Sequence, residues 1–355
     1  HTQNAAEKPL KGQQVIVATN ATEELPSSLF YNLYGARVVE EYAKAAEALG
    51  AHVEICTLEQ TLSRLTNFDE PVGFVINVCA AFHSLEGEGL VQAVAALSGT
   101  PCFPCRGDVA IIAEEKIISK HIAAECGFRT LPSLRNLNQL GRHKSVVRKP
   151  ISGGDSKGVV LERMPLAAAE LGHHEFAEPF VAGTDLEVFC VVNPTTGQHH
   201  ILNAKVRLPI DGLEYDLVHA TSAKFSSDDY DPDAKVAISW KSVCVADCVG
   251  KAVQELGQAF HKTFLFRIDG RTQYRPDNPE PLELNDFVFL ELNVMPTIPG
   301  DAGWLSPALF KWAKTDPAAA DPTNQLSDGQ LALRLLLAIW RQGYVQSKSV
   351  DGNTP

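Results

Sequence analysis

The chain has 355 residues, 45% of them hydrophobic and 21% charged, with a formal net charge of −12. That length can bury a large core and suits two or three domains. The acidic balance argues against an extended nucleic-acid or anionic-membrane surface, while leaving room for a small basic pocket around a phosphorylated ligand.

The start, HTQNAAEKPLKGQQ, lacks the apolar centre of a signal peptide. No apolar run nears the ~20 residues that span a bilayer, so a cytoplasmic setting is expected. QVIVATN reads as a first buried strand and YGARVVEEYAKAAEALG as a helix stopped by glycine. HVEICTL and VGFVINVCA are further strands, and EGLVQAVAALSG a second helix. This alternation predicts a parallel sheet with covering helices. DVAIIAEEKIISKHIAAECG reads as one long helix. Strands KSVVRKP and GVVLERM follow around a Gly-rich turn, then a short helix, PLAAAELGHH. EFAEPFVAGTDLEVFCVV opens a strand-rich half, with VCVADCVGKAVQELGQAFHKTF as an amphipathic helix. LFRIDGRTQ and FVFLELN are strands, GQLALRLLLAIWRQG is the last helix, and the tail SKSVDGNTP reads as frayed.

Most of the eight cysteines lie in apolar stretches and read as buried free thiols. Cys102 and Cys105 form a lone CxxC with no second pair or histidine at zinc-like spacing. Cys244 and Cys248, four apart, read as core. His173–His174 and His199–His200 read as surface or loop.

In a strand, residues i and i+2 share a face. Arg267 and Asp269 therefore project together, as do Glu291 and Asn293. The connecting loop RTQYRPDNPEPLELND suits an antiparallel pairing, which puts all four on one face. Two carboxylates and an amide oxygen are hard ligands of the kind magnesium takes; the same residues would also make a surface salt-bridge patch. In VVRKPISGGDSKGVV, a strand delivers Arg148 and Lys149 to a loop with Gly153, Gly154 and Gly158. Glycines let backbone N–H groups approach phosphate, and Lys149 adds a charge; many such loops are only turns. Glu178-Pro179-Phe180-Val181 is a short linker able to meet a base edge, with Asp185 near enough for a ribose, or else a plain interdomain strand. Lys224, after small residues, can reach a γ-phosphate or sit exposed, and Lys116 precedes the flap.

In this order the pieces resemble the ATP-grasp superfamily, and most of all its D-alanine–D-alanine ligase group: the Lys116 helix, the KPISGGDSKGV flap, the EPFVAGTD hinge, AKF, RID and ELN. The resemblance runs over nearly the whole chain. It implies an α/β (α+β) ATP-grasp fold, with an N-terminal parallel α/β domain over 12–106, a small central ATP-binding lobe over 107–181 and a C-terminal antiparallel-sheet lobe over 182–345. It implies ATP and two magnesium ions, with manganese able to replace them. Lys116 and Lys149 would bind the phosphates, with Gly154, Asp155 and Ser156 in the flap. Glu178, Phe180 and Val181 would hold adenine, and Asp185 the ribose. Lys224 would meet the γ-phosphate. Asp269, Glu291 and Asn293 would hold the metals, Glu291 bridging them. Arg267 would face the oxyanion, helped by the backbone N–H of Gly300. The implied substrates are small amino acids, with no nucleic-acid or membrane partner, and a homodimer is expected.

Three stretches depart from the family pattern. The Glu and Ser that fix the first D-alanine correspond to Glu23 or Glu24 with Ser27. HGxxGEDG becomes AFHSLEGEG, with His83, Glu86 and Glu88 shifted or replaced. ENTxPGxTxxS becomes ELNVMPTIPGDAGWLS, which brings Trp304 and ends on Ser306. These changes fall where the acceptor amino acid is expected. The readings they leave open are a D-Ala–D-Ala-type ligase, a relative joining other amino acids for a specialised metabolite, a ligase on a carrier-bound or peptidyl acceptor, and a non-catalytic nucleotide-binding protein.

Overall fold

A computed structural model of the chain describes residues 10–19, 36–67, 69, 71–79, 88–135, 143–153, 158–163, 171–192, 198–207, 240–260, 263–274, 278–294 and 326–351. β1 (Gln14–Thr19) is buried after its first residue, as a Val/Ile run covered on both faces should be. It pairs in parallel with β2 (His52–Thr57) and β3 (Phe74–Asn77), and β3 with β4 (Cys102–Phe103), in the order β2-β1-β3-β4. Three helices go with this sheet: α1 (Ala36–Ala48), α2 (Leu58–Thr66) and α3 (Glu88–Leu97). The expected elements omit α2. It starts on a capping box in which Thr57 and Gln60 each accept the other's backbone N–H.

The last helix, α7 (Asp328–Asp351), folds back on this first sheet and takes in residues 347–351 of the tail expected to fray, the remainder of which lies outside the described residues. Leu333, Leu336 and Leu337 are buried with Val15, Val17 and Ile76. Trp340 stacks on Phe74 with ring centroids 4.9 Å apart and meets Phe103 edge-on at 5.8 Å. Burial of this apolar stripe, rather than helix propensity, is what holds a C-terminal helix in place.

A second sheet has the order β11-β10-β9-β12-β13-β5, formed by β5 (Arg129–Thr130), β9 (Thr184–Val192), β10 (His199–Arg207), β11 (Trp240–Ser242), β12 (Leu265–Thr272) and β13 (Phe287–Asn293). All its pairings are antiparallel except that of β13 with β5. One face is apolar: Leu186, Val188, Phe266 and Ile268 are buried with Val249, Val253 and Leu256 of α6 (Asp247–Ala259). Helices α4 (Gly107–Glu114) and α5 (Lys116–Glu125), which the sequence groups with the central lobe, send Val109, Ala113 and Ala123 into this core.

The run predicted as one long helix is therefore two. Glu115 adopts an extended conformation (φ −79°, ψ 99°), ending α4 and capping α5 by accepting the Ile118 N–H at 2.7 Å. A third, small sheet has β6 (Ser145–Pro150) between β7 (Val160–Arg163) and β8 (Glu175–Pro179), all antiparallel. Most of the short helix expected before β8 lies outside the described residues.

Two side-chain expectations are corrected. His199 is a buried residue of β10, its Nε2 3.2 Å from the Thr263 carbonyl, and burial lowers its pKa. Cys244 is exposed because it precedes α6, whereas Cys248, at the start of that helix, is half-buried against the core, with its Sγ 3.0 Å from Glu283. Cys56, Cys79, Cys105, Cys126 and Cys190 are buried free thiols. No described helix is long and apolar enough to cross a membrane.

Candidate functional site

The polar face of the large sheet is assembled by register. Arg267 lies opposite Asn293 and Asp269 opposite Glu291 across β12 and β13. On its other side Asp269 pairs with Glu187 of β9, and Glu187 with Lys205 of β10. One row across four strands thus reads Lys205, Glu187, Asp269, Glu291. Arg267 grips Asp269 with a two-pronged contact of 2.6 and 2.7 Å, and Asn293 Nδ2 donates to the same carboxylate at 2.8 Å. Lys205 meets Glu187 at 2.9 Å, Arg267 lies 3.9 Å from Glu187, and Lys116 lies 3.7 Å from Glu291.

Even so, Asp269 is pushed up to about 6, by burial first and then by Glu187 and Glu291, against the pull of Arg267. Burial opposes the charge on Arg267, but Asp269 and Glu187 outweigh it and hold the guanidinium above its usual pKa. Among the described residues no three His, Cys, Asp or Glu side chains gather to hold a metal ion. The donor set at this point is two carboxylates and an amide. Its oxygen chemistry and its crowded negative charge both suit a hard divalent cation.

Beside this row sits a buried lysine cluster. Lys149 of β6 reaches Glu178 of β8 at 2.6 Å, and Lys120 of α5 holds the other oxygen of the same carboxylate. Both ammonium groups lie over the Phe176 ring, 5.4 and 5.5 Å from its centroid. Burial lowers the Lys120 pKa, and Glu178 works against that. Lys116 donates to the Gly153 carbonyl at the root of the flap, and its own N–H donates to Ile151 at 2.9 Å. Lys116 therefore links the flap to the carboxylate strand. Lys120 escapes sequence reasoning because a helical lysine reads as solvated until its partner is known. The Glu178 carboxylate, expected near adenine, is engaged by the two lysines.

Residues 180–183 join the small sheet to the large one. Phe180 N–H donates to Ser145 at 3.1 Å. Gly183 has φ +127°, and a Cβ there would clash with the Thr272 carbonyl, so only glycine fits. Asp185, expected at a ribose, is held by Arg271 at 2.9 Å and Arg207 at 3.3 Å. A further residue absent from the sequence reading is Glu114, beside the Lys116 end of α5. Neither of its carboxylate oxygens meets a donor among the described residues, and burial raises its pKa to about 7 against the pull of Lys116.

Glu23, Glu24, Ser27, His83, Glu86, Gly154, Asp155, Ser156, Lys224, Gly300, Trp304 and Ser306 lie outside the described residues, as does the side chain of Glu88.

No protein-family model matches the sequence, and no curated protein does. Solved structures do. A D-alanine–D-alanine ligase from Bacillus anthracis, complexed with ATP, superposes with a TM-score of 0.59 at 15% identity, over 94% of this chain and 99% of its own. A D-alanyl-alanine synthetase A from Vibrio cholerae gives 0.59 at 15%, over 93% and 99%. A D-Ala:D-Ser ligase, VanG from Enterococcus faecalis, gives 0.56 at 15%, over 92% and 99%. Over more than nine-tenths of its length the chain has the ATP-grasp fold of the D-alanine–D-alanine ligases.

Proposed function

We propose that the protein is an ATP-dependent ligase that joins a carboxylate to an amine, both from small amino acids, through an acyl phosphate. The observation that carries this is the β12–β13 register, which sets Asp269, Glu291 and Asn293 on one face with Arg267 and beside Lys116. Magnesium bound by those three residues would neutralise charge on the ATP phosphates. In this reading Lys116 and Lys149 would hold the phosphates, and residues 180–185 the base and ribose. The substrate carboxylate attacks the γ-phosphate and ADP leaves, giving the acyl phosphate; the amine then attacks the acyl carbon, loses a proton and displaces phosphate. Arg267 stabilises the oxyanion of that second step, a role in which one donor is typically worth about 3 kcal/mol. Phosphoryl transfer asks mainly for positioning and charge neutralisation, which these groups supply.

The altered 81–89 and 294–306 stretches favour a substrate pair other than two D-alanines. An ADP-release assay with D-alanine alone, and then with pairs of amino acids, tests the reading. Magnesium-dependent ADP release with at least one pair is expected. Nucleotide binding without release from any pair, or any peptidyl or carrier acceptor checked by intact mass, would make the chain a binding protein instead.

A further inference from the structure

Arg271 is four residues beyond Arg267 on β12, on the same side of the strand as Arg267 and Asp269, and lies directly opposite Asp185 of β9. It is buried, and its guanidinium makes contacts with four residues of the 180–185 segment. Nη1 donates to Asp185 at 2.9 Å, Nη2 to the Gly183 carbonyl at 2.5 Å and Nε toward the Val181 carbonyl at 3.4 Å. The guanidinium carbon lies 5.8 Å from the centre of the Phe180 ring. A second, independent feature fastens the same segment: Gly183 passes so close to Thr272 that a methyl group has no room. Arg207 closes the far side of Asp185, and its own carbonyl accepts from Thr184 Oγ1 at 2.8 Å.

We infer that Arg271 is a positioning residue that locks the hinge and Asp185 onto β12 and so presets where a nucleotide's base and ribose sit relative to the metal-binding face. The inference rests on the nucleotide reading above and goes beyond it by naming what fixes the hinge. The physical reason is geometric. Asp269 and Arg271 are two residues apart on one strand, so the strand itself sets the spacing between the phosphate end and the base end of the site. A guanidinium presents a rigid planar fork that can serve two carbonyls and a carboxylate together, whereas an ammonium is a point charge that cannot. Arg271 also orients Asp185, whose carboxylate lies between two arginines. These contacts of Arg271 are with residues 180–185 and not with Lys116, Lys120 or Lys149, so its effect is expected at the hinge end.

The test separates the two ends. The full chain, as wild type, Arg271→Lys and Arg271→Gln, is titrated calorimetrically with a non-hydrolysable ATP analogue and, separately, with tripolyphosphate, each with magnesium. Tripolyphosphate carries the charges but no base or ribose. The expected result is nucleotide affinity weakened by roughly tenfold or more in both variants, with tripolyphosphate affinity changed by less than about twofold. Equal losses for both titrants would mean Arg271 serves the fold in general and would overturn the inference. So would nucleotide affinity unchanged in Arg271→Lys, or tighter binding, which would make the guanidinium an obstruction. Should Arg271→Gln fail to fold, Arg271→Lys keeps the charge and carries the test. Wild-type protein that binds neither titrant would sink the nucleotide reading itself, a result distinct from any difference between variants.

Discussion

The two ends of the polar face differ in how their charges are met. At the hinge end one carboxylate, Asp185, has two arginines, and Arg271 has two backbone carbonyls besides. At the other end three carboxylates, Glu187, Asp269 and Glu291, stand in one row with Lys205, Arg267 and Lys116 around them. The nominal charges there only cancel, three against three, where the hinge end has two cations for one anion, and Asp269 is driven up to about 6 by burial and then by its two acidic neighbours. The two ends thus differ in charge count as well as in burial and crowding. Among the described residues the hinge carboxylate already has more cationic partners than charge, whereas the carboxylate end would gain most from an added cation, because a positive charge between crowded carboxylates relieves their repulsion.

The comparison can be broken in four places. Asp269→Asn should have the largest effect: a loss of turnover on the order of a thousandfold, about 4 kcal/mol of transition-state stabilisation, measured as ADP release. A variant that keeps a tenth of the wild-type rate would show that the crowded row is not where the cation acts. Next is Glu178→Ala, which leaves Lys120 and Lys149 buried without their shared partner. Losing one member of a buried ion cluster costs about 3–5 kcal/mol, to be read from denaturant unfolding. A loss under about 1 kcal/mol would mean that the lysines find other partners.

Glu114→Gln should stabilise, and only at higher pH. The Glu114 pKa is raised to about 7 in the folded chain from 4.5. Between those values the folded state binds more protons than the unfolded state, so the carboxyl costs stability as pH rises through that window. The gain from Glu114→Gln over wild type should be near zero at pH 4.5 and reach up to about 3 kcal/mol by pH 8. A gain independent of pH would mean that the carboxyl titrates alike in the folded and unfolded chain. The smallest effect belongs to Arg207→Gln at the hinge end, about 1 kcal/mol, because Arg271 still holds Asp185.

What could be read from the sequence, and what could not, follows from the range of each interaction. Strand alternation in RID and ELN placed four side chains on one face, and the fold pairs those strands in the register that needs. The β1–β3 alternation likewise announced the parallel sheet. Two local signals were present but passed over: the Thr57/Gln60 capping box that starts α2, and Glu115, whose short acidic side chain can end one helix and cap the next. The rest depends on partners far along the chain. Lys120 and Glu178 are 58 positions apart, and Arg271 and Asp185 are 86 apart. Neither lysine nor arginine differs in pattern from a solvated side chain. His199 looked like half of a loop pair because nothing in its neighbours shows that α6 closes over it; at Gly257 of that helix a methyl group would strike its ring.

The central claim is that the β12–β13 face holds a divalent cation under the phosphates of a nucleotide. Calorimetry of the full chain with a non-hydrolysable ATP analogue, run with and without magnesium on wild type and Asp269→Asn, tests it most directly. The account requires a binding heat in wild type that depends on magnesium and is lost in Asp269→Asn. Heat that is the same without magnesium, or that survives in the variant, would contradict it.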